Sequence, residues 1–472
     1  MRAVNMKIVR DLLWYILLLC VGTIFYLFSI MDTLTFLTFA IAVIGILPLV
    51  RTAIIRNSDP LSPKALLPFT YTLYALGPLH VSTQFPSHVI IYYLLLQLLG
   101  LLAMRLGLYV AVKGRLNLDI NRAFHRLTGS SKMLWVLISI IIILMSATSL
   151  LTYLYTFGGI ADYIEIGYGG NFYLILREGQ IIGAGFEWGL LGAILILFYG
   201  LKQRSKLCLF GGIVLFVSVA YIVLLTGRRS QLLYPLLFGV ALFHYGYKRI
   251  PSPVFAVMIL LGITIAQYYA LARYFLPKGL VYALSQVWPA IARNPYLVAP
   301  WAANEFCVPA ASLLEVLHYG GPGLLLGRSY IASLWAPIPF VMRLFSQISF
   351  DVNTWRLSTF YPDLLAAGRG LGFSPVTEGY MNFGMIGIFL QLFFYGYIIG
   401  KTYNHLLTKP TWSALLLFAG SLPVFLIDGM RINSASLMWR WTRVYLMPWI
   451  ILIILNAIVP KRGRTLLRSE ST

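Results

Sequence analysis

Charge is what this chain has least of. Only 11% of its 472 residues are Asp, Glu, Lys or Arg, against roughly a quarter in soluble domains, which excludes a water-soluble globule. Cysteine is nearly missing too: Cys20 and Cys208 fall in or beside apolar runs and Cys307 stands apart, so no disulfide framework is available. The six histidines show no close ligand spacing and no paired acidic motif, so neither a metal site nor a cofactor is expected. A serine-hydrolase elbow, a phosphate loop and a dinucleotide fingerprint are absent as well. No low-complexity linker or internal repeat divides the chain.

What is present is apolar. Hydrophobic residues make up 59% of the chain, the mean hydropathy is +0.81, and runs such as Leu12 to Ile30, Thr33 to Val50 and Met133 to Phe157 are long enough to cross a hydrocarbon core of about 30 Å as helix. The pattern predicts an all-α polytopic membrane protein, one transmembrane domain over 1–472 with about twelve spans. These fall near 11–30, 34–50, 65–83, 88–111, 133–156, 183–201, 207–226, 230–247, 252–272, 376–400, 412–430 and 441–460. The first run has span length and lacks a small-residue cleavage site, so it reads as a retained anchor.

The net charge of +21 does not point to nucleic acid, because the basic residues are spread over short connections between spans. Clusters of Lys and Arg stay on the cytoplasmic side. Met1 to Arg10, Arg51 to Lys64, Lys113 to Lys132, Lys202 to Lys206, Lys248 and Arg249, Lys401 to Lys409 and Lys461 to Arg468 alternate with the runs so that both termini are cytoplasmic. Of the two long outer connections, 157–182 and 273–373, the second lies between spans nine and ten and is rich in Trp, Tyr, Leu and Pro. Its amphipathic stretches, Leu280 to Ala292 and Ala311 to His318, suit a membrane surface. A connection of that length is expected to be a structured functional loop, with a purely structural cap as the alternative.

This topology leaves only one lysine outside, Lys278; the other outer basic residues are arginine. Arginine suits phosphate and carboxylate, since its planar guanidinium offers paired donors and stays charged. Arg228 and Arg229 occupy the tight turn from Thr226 to Ser230, Arg273 ends a span, and Arg431, Arg440 and Arg443 surround the last outer turn. Their convergence on an anionic ligand is one reading; snorkelling to headgroups or pairing with outer acids is the other. A second dense segment runs from Gly368 and Arg369 to Gly384. There Ser374-Pro375 reads as the cap and first turn of a helix, placing Glu378 in that turn at the outer surface. Its carboxylate either accepts a proton from a sugar hydroxyl or complements the helix dipole. Glu305, His318 and Asp363 share the compartment as other candidate bases.

Three local patterns carry a resemblance: Gly227-Arg228-Arg229 between two spans, the aromatic and proline-rich tract Tyr330 to Arg343, and Ser374-Pro375 with Glu378-Gly379-Tyr380-Met381-Asn382-Phe383-Gly384 running into a span. With the layout, they resemble the Wzy-type oligosaccharide repeat-unit polymerases of O-antigen and capsule. The resemblance implies a GT-C-like membrane glycosyltransferase in the bacterial cytoplasmic (inner) membrane. Such an enzyme joins undecaprenyl-pyrophosphate-linked oligosaccharide units on the outer face without nucleotide sugar or metal. Its implied partners are that lipid-linked oligosaccharide, membrane lipids and a chain-length regulator protein, and no nucleic acid.

Arginine can replace a metal in stabilising a leaving pyrophosphate. On this reading Arg228, Arg229, Arg273 and Arg431 hold the pyrophosphate and Glu378 is the catalytic base. Arg369, Arg293, Arg328, Tyr380 and His318 are further substrate-binding candidates. The large loop varies in the family, so Arg293, Arg328, Arg343 and Arg356 are not carried over by position. An O-antigen ligase is the nearest rival reading. A lipid-linked oligosaccharide flippase is the rival from another class, for which charges within spans are the expected mark.

Overall fold

A computed structural model describes residues 32–54, 59–112, 132–159, 185–226, 230–273, 275–294, 304–338, 348–366 and 370–458. Its regular structure is helical, with no strand among the described residues. The apolar runs become α1 (Thr33–Ile54), α2 (Pro63–Leu76), α3 (Ser87–Ala111), α4 (Lys132–Phe157), α5 (Gly185–Gln203), α6 (Lys206–Leu225), α7 (Ser230–Gly246) and α8 (Ser252–Ala272). The segment that follows holds α9 (Leu280–Arg293), α10 (Asn304–Tyr319), α11 (Arg328–Trp335), α12 (Val352–Phe360) and α13 (Pro362–Ala366). Then come α14 (Pro375–Thr408), α15 (Trp412–Arg431), α16 (Ser434–Tyr445) and α17 (Met447–Ile458).

Eight of these helices are long and apolar enough to cross a membrane, or nine if α16 and α17, bent by 50°, form one broken span. The chain is a multi-pass membrane protein. Three expected spans account for the difference from twelve. The run 11–30 lies outside the described residues. The run 65–83 is a 14-residue helix that gives way to a 3-10 turn at Gly77 and Pro78, only about 21 Å of α-helix. The run 230–247 has 17 helical residues, about 25 Å, at the short edge of what spans.

The core is one continuous cluster in which α2, α3, α5, α7, α14 and α15 take part. Helices α3 and α14 pack backbone to backbone, with Gly107 on the backbone at Phe393 and Gly396 on the backbone at Met104. Small residues at such crossings let helices approach in lipid, where no water is expelled to drive association. Helices α8 and α9 form a separate apolar cluster of Tyr269, Ala272, Leu276, Ala283 and Val287. The rest of α9 exposes Leu280, Val281, Tyr282, Leu284 and Trp288, the apolar face that the sequence assigns to a membrane surface.

At one end of the bundle a buried knot closes the core. The Asp59 carboxylate accepts from the hydroxyls of Tyr245 (2.6 Å) and Tyr403 (2.5 Å) and from Leu61 N–H (3.1 Å). His244 Nε2 stands 3.2 Å away, while His244 Nδ1 accepts from Ile250 N–H. Burial pushes the Asp59 carboxyl up, but His244 and the two tyrosine hydroxyls outweigh it and hold it below the ordinary value.

Candidate active site

The other end is organised by a broken helix. Ser374 caps α14 by accepting from Val376 N–H (3.2 Å), and Pro375 occupies the first turn, as the sequence predicts. The helix does not then run straight into the span. At Phe383 and Gly384 the backbone leaves helical geometry, with Gly384 at φ 61°, ψ −141°, a region open to glycine and costly for other residues. The chain reverses there, and Gly379 comes to lie on the backbone of Gly387. Residues 375–382 thus form a short arm folded antiparallel on the long helix that follows.

The arm's carbonyl end is closed by the α10–α11 connection. Leu325 N–H donates to Met381 O (2.8 Å) and Leu326 N–H to Asn382 O (3.2 Å), while Gly327 N–H donates to the Asn382 side chain (3.0 Å). Leu326 (φ 49°) and Gly327 (φ 88°) are consecutive left-handed residues. The three successive amides thereby reach three acceptors at the end of the arm, the carbonyls of Met381 and Asn382 and the Asn382 side chain.

Glu378 sits inside this fold-back, fully buried. This corrects the outer-surface position expected for it: the first turn of α14 faces the bundle because the arm is reversed. Its Oε1 accepts from Ser329 Oγ (2.9 Å). Its Oε2 accepts from Gln391 Nε2 (3.0 Å) and from Ser434 twice, through N–H and Oγ, both at 2.7 Å. Gln391 lies seven residues beyond the Gly384 reversal, so the carboxylate is roughly 10 Å down the long helix from the turn. Asn382 donates to Ser329 Oγ (2.7 Å), and Tyr330 OH donates to Gln391 Oε1 (2.8 Å).

A carboxylate buried without a cation is tolerated only when hydrogen bonds replace its water. Here four donors do so, none of them from Arg or Lys. One is the first amide of α16, whose N-terminal end favours negative charge. Glu378 therefore ties together α11, the α14 arm, the long α14 helix and α16.

Arg431 is three residues before Ser434, and its backbone carbonyl accepts from Phe373 N–H (2.8 Å). Its half-buried side chain lies in the field of Tyr234, Asp428 and Arg440. Asp428 is fully buried, accepts from Tyr234 OH (2.5 Å) and pairs with Arg440 Nη1 (2.9 and 3.1 Å). Asp428 ends a π-helical turn (Val424–Asp428), and Arg440 precedes another (Trp441–Tyr445). Asp428 lies three residues before the end of α15 and Arg440 midway along α16, so the pair joins the two helices across their connection. Arg440 is thereby committed to a carboxylate, while Arg431 stands three residues before Ser434, which donates to Glu378.

The other expected site residues scatter. Arg328 is exposed, next to Ser329. Tyr380 is half-buried with its ring 6.4 Å from that of Tyr92 on α3. His318 is exposed beyond α10's buried face, its ring against Phe85 and Tyr319. Arg293 is exposed in the last turn of α9. Arg273 caps α8, one turn past Tyr269, whose hydroxyl donates to Leu224 O (2.8 Å) at the end of α6. Arg228, Arg229 and Arg369 lie outside the described residues. Arg356 and Glu315 form a buried pair, joined by the half-buried Tyr361, in the segment between α8 and α14.

Sequence reasoning passed over Ser329, Gln391, Ser434 and Asp428. Two of them carried a usable signal. Gln391 is the polar residue in the apolar stretch from Met385 to Gly400, and Asp428 is an acid inside a span; a polar or ionisable side chain at such a place demands a partner.

Residues 329–458 match the family model described as O-antigen polysaccharide polymerase Wzy. No curated protein and no solved structure matches the chain. The Glu378 network, Arg431 and the Asp428–Arg440 pair all fall inside the matched segment, and the match supports the Wzy-type family for this chain.

Proposed function

We propose that the protein polymerises oligosaccharide repeat units carried on a polyprenyl pyrophosphate, at the outer face of a bacterial cytoplasmic membrane. It does so as a GT-C-like glycosyltransferase needing neither metal nor nucleotide sugar. The observation that carries this reading is the coincidence of the family match with the broken helix and its buried polar network. The reaction requires cationic stabilisation of the leaving pyrophosphate and removal of a proton from the attacking sugar hydroxyl. Arg431, with Arg228, Arg229 and Arg273, supplies the first in this proposal. Arg328, Arg293, Arg369, Tyr380 and His318 bind the sugars or the second lipid.

Glu378 has two roles to choose between. As a base it must exchange one of its four donors for the acceptor's hydroxyl. As a positioning group it keeps its donors and fixes Ser434, and with it the start of α16, beside Arg431. Its burial and donor set favour positioning. The pH profile separates the two, because removing a base displaces the acid limb of the kcat profile and removing a positioning group does not.

The Asp428–Arg440 pair within the helices is a feature that transporters share, so the deciding experiment is a product assay. Purified protein in detergent, with EDTA, is given a polyprenyl-pyrophosphate-linked repeat unit. A ladder of longer lipid-linked products, lost in Arg228→Ala and Arg431→Ala, supports the polymerase. Transfer only to a lipid A core identifies a ligase. Movement of the lipid across vesicles without new glycosidic bonds identifies a flippase.

A further inference from the structure

The segment between α8 and α14 contains a buried ion pair that the proposed chemistry does not use. Arg356 of α12 is 1% exposed. It grips Glu315 of α10 in a two-pronged fork, Nε to Oε2 at 2.7 Å and Nη2 to Oε1 at 2.6 Å. Nη2 also donates to Val308 O (3.0 Å) and Nη1 to Gly372 O (2.9 Å), and Tyr361 OH donates to Glu315 Oε1 (2.9 Å). Burial, with Glu315 beside it, pushes the Tyr361 hydroxyl up to about 12. Such a guanidinium is satisfied by protein, so it is not held ready for substrate.

What it holds is informative. Gly372 (φ +76°) lies so close to Arg431 that an added Cβ would meet the Arg431 carbonyl oxygen at 2.6 Å, and the next residue, Phe373, donates its N–H to that oxygen. Val308, Ser312 and Glu315 follow one stripe of α10, spaced four and three residues apart. Ser312 Oγ accepts from Ser374 N–H (3.3 Å) and lies 2.7 Å from Thr377 Oγ1. One face of α10 thus registers Arg356, the 372–374 segment and the start of the α14 arm.

We propose that Arg356 is a positioning residue for the pyrophosphate end of the site. Clamped by Glu315, it fixes the Gly372–Phe373 peptide and through it the backbone from which the Arg431 side chain projects. This inference rests on the polymerase reading for its catalytic consequence, but its structural half does not.

The test compares wild type with Arg356→Lys, which keeps the charge and cannot reproduce the fork, and with Glu315→Gln as the second variant. Helical circular dichroism and detergent elution profile establish that each is folded. Hydrogen exchange of the peptide containing Phe373 should be slow in wild type and at least tenfold faster in both variants. In the ladder assay Arg356→Lys should lower kcat by about 10²-fold with little change in KM, the scale expected for a misplacement of about 1 Å. Arg356→Lys combined with Arg431→Lys, which keeps the charge and a residual rate, should be no slower than Arg431→Lys alone, because coupled residues are not additive. Unchanged exchange at Phe373 overturns the positioning role whatever the activity. Faster exchange with wild-type kcat and KM, or additive losses in the double variant, overturns its catalytic consequence. A wild type that builds no ladder removes the polymerase reading instead, and the exchange result still decides whether Arg356 holds the 372–373 peptide.

Discussion

The bundle solves one problem twice, at Asp59 and at Glu378. Each is a buried carboxylate that accepts from hydroxyls and a backbone amide. The surroundings differ. Around Asp59, the rings of Tyr245, Tyr403 and Phe418 close on one another, Tyr245 edge to face with the other two and Tyr403 tilted against Phe418, with centroids 5.4 to 6.4 Å apart. Around Glu378 a helix reverses at Gly384, a loop spends three amides on the broken end, and Arg431 begins the next connection. Hydrogen-bond saturation therefore does not mark a site by itself. A broken helix beside an arginine does, because irregular backbone at membrane depth persists only where protein or a cavity satisfies it.

The contrast is broken most severely at Glu378. Glu378→Gln turns an acceptor of Ser434 N–H into a donor or forces a flip, and should lower polymerisation by about 10²-fold or more. Its destabilisation should be only about 1–3 kcal/mol for the mismatched group. A loss of activity no larger than the loss of folded protein would place the site elsewhere.

Gly384→Ala comes next. The substitution strains a φ of +61° at about 1–3 kcal/mol. It should reduce activity about tenfold by disturbing the arm, since a misplaced group is costly in rate. Wild-type rate with a raised denaturation temperature would show that the reversal is not needed.

The smallest effect on activity is expected at Asp59. Asp59→Asn should leave polymerisation within about twofold, the two sites being independent, but should change acid stability. Because the folded carboxyl is held below the ordinary value of 3.8, its stabilisation is complete above that value and fades as pH falls through the lower folded one. The Asn variant should lack that acid-dependent component in detergent unfolding curves recorded on both sides of 3.8.

Much of the fold was legible because apolar run length is a one-dimensional signal. Nine of the twelve expected spans have counterparts among the long helices when the bent α16–α17 pair counts as one. The Ser374-Pro375 start of α14 was legible for the same local reason, cap chemistry being contained in a few residues. The reversal at Phe383–Gly384 was not, because an isolated glycine in an apolar run is more often tolerated than structural. The contact between Gly379 and Gly387 and the hydrogen bond from Gln391 to Glu378 show the chain folding back. Long-range partnership hid the rest: Ser329, Gln391 and Ser434 reach Glu378 from 49, 13 and 56 residues away. For Arg440 the sequence leaves two readings open, an anionic ligand or an acid partner, and its partner is Asp428, 12 residues away; Arg356, not carried over by position, answers Glu315 across 41 residues.

The central claim is that glycosyl transfer occurs at the Glu378–Arg431 end of the bundle. Its most direct measurement is the length distribution of lipid-linked product made from one defined polyprenyl-pyrophosphate repeat unit by wild type, Glu378→Gln, Arg431→Ala and Asp59→Asn, each purified to the same folded fraction. The account predicts a ladder from wild type and Asp59→Asn and unextended substrate from the other two. A ladder that survives Glu378→Gln and Arg431→Ala but disappears in Asp59→Asn would contradict it.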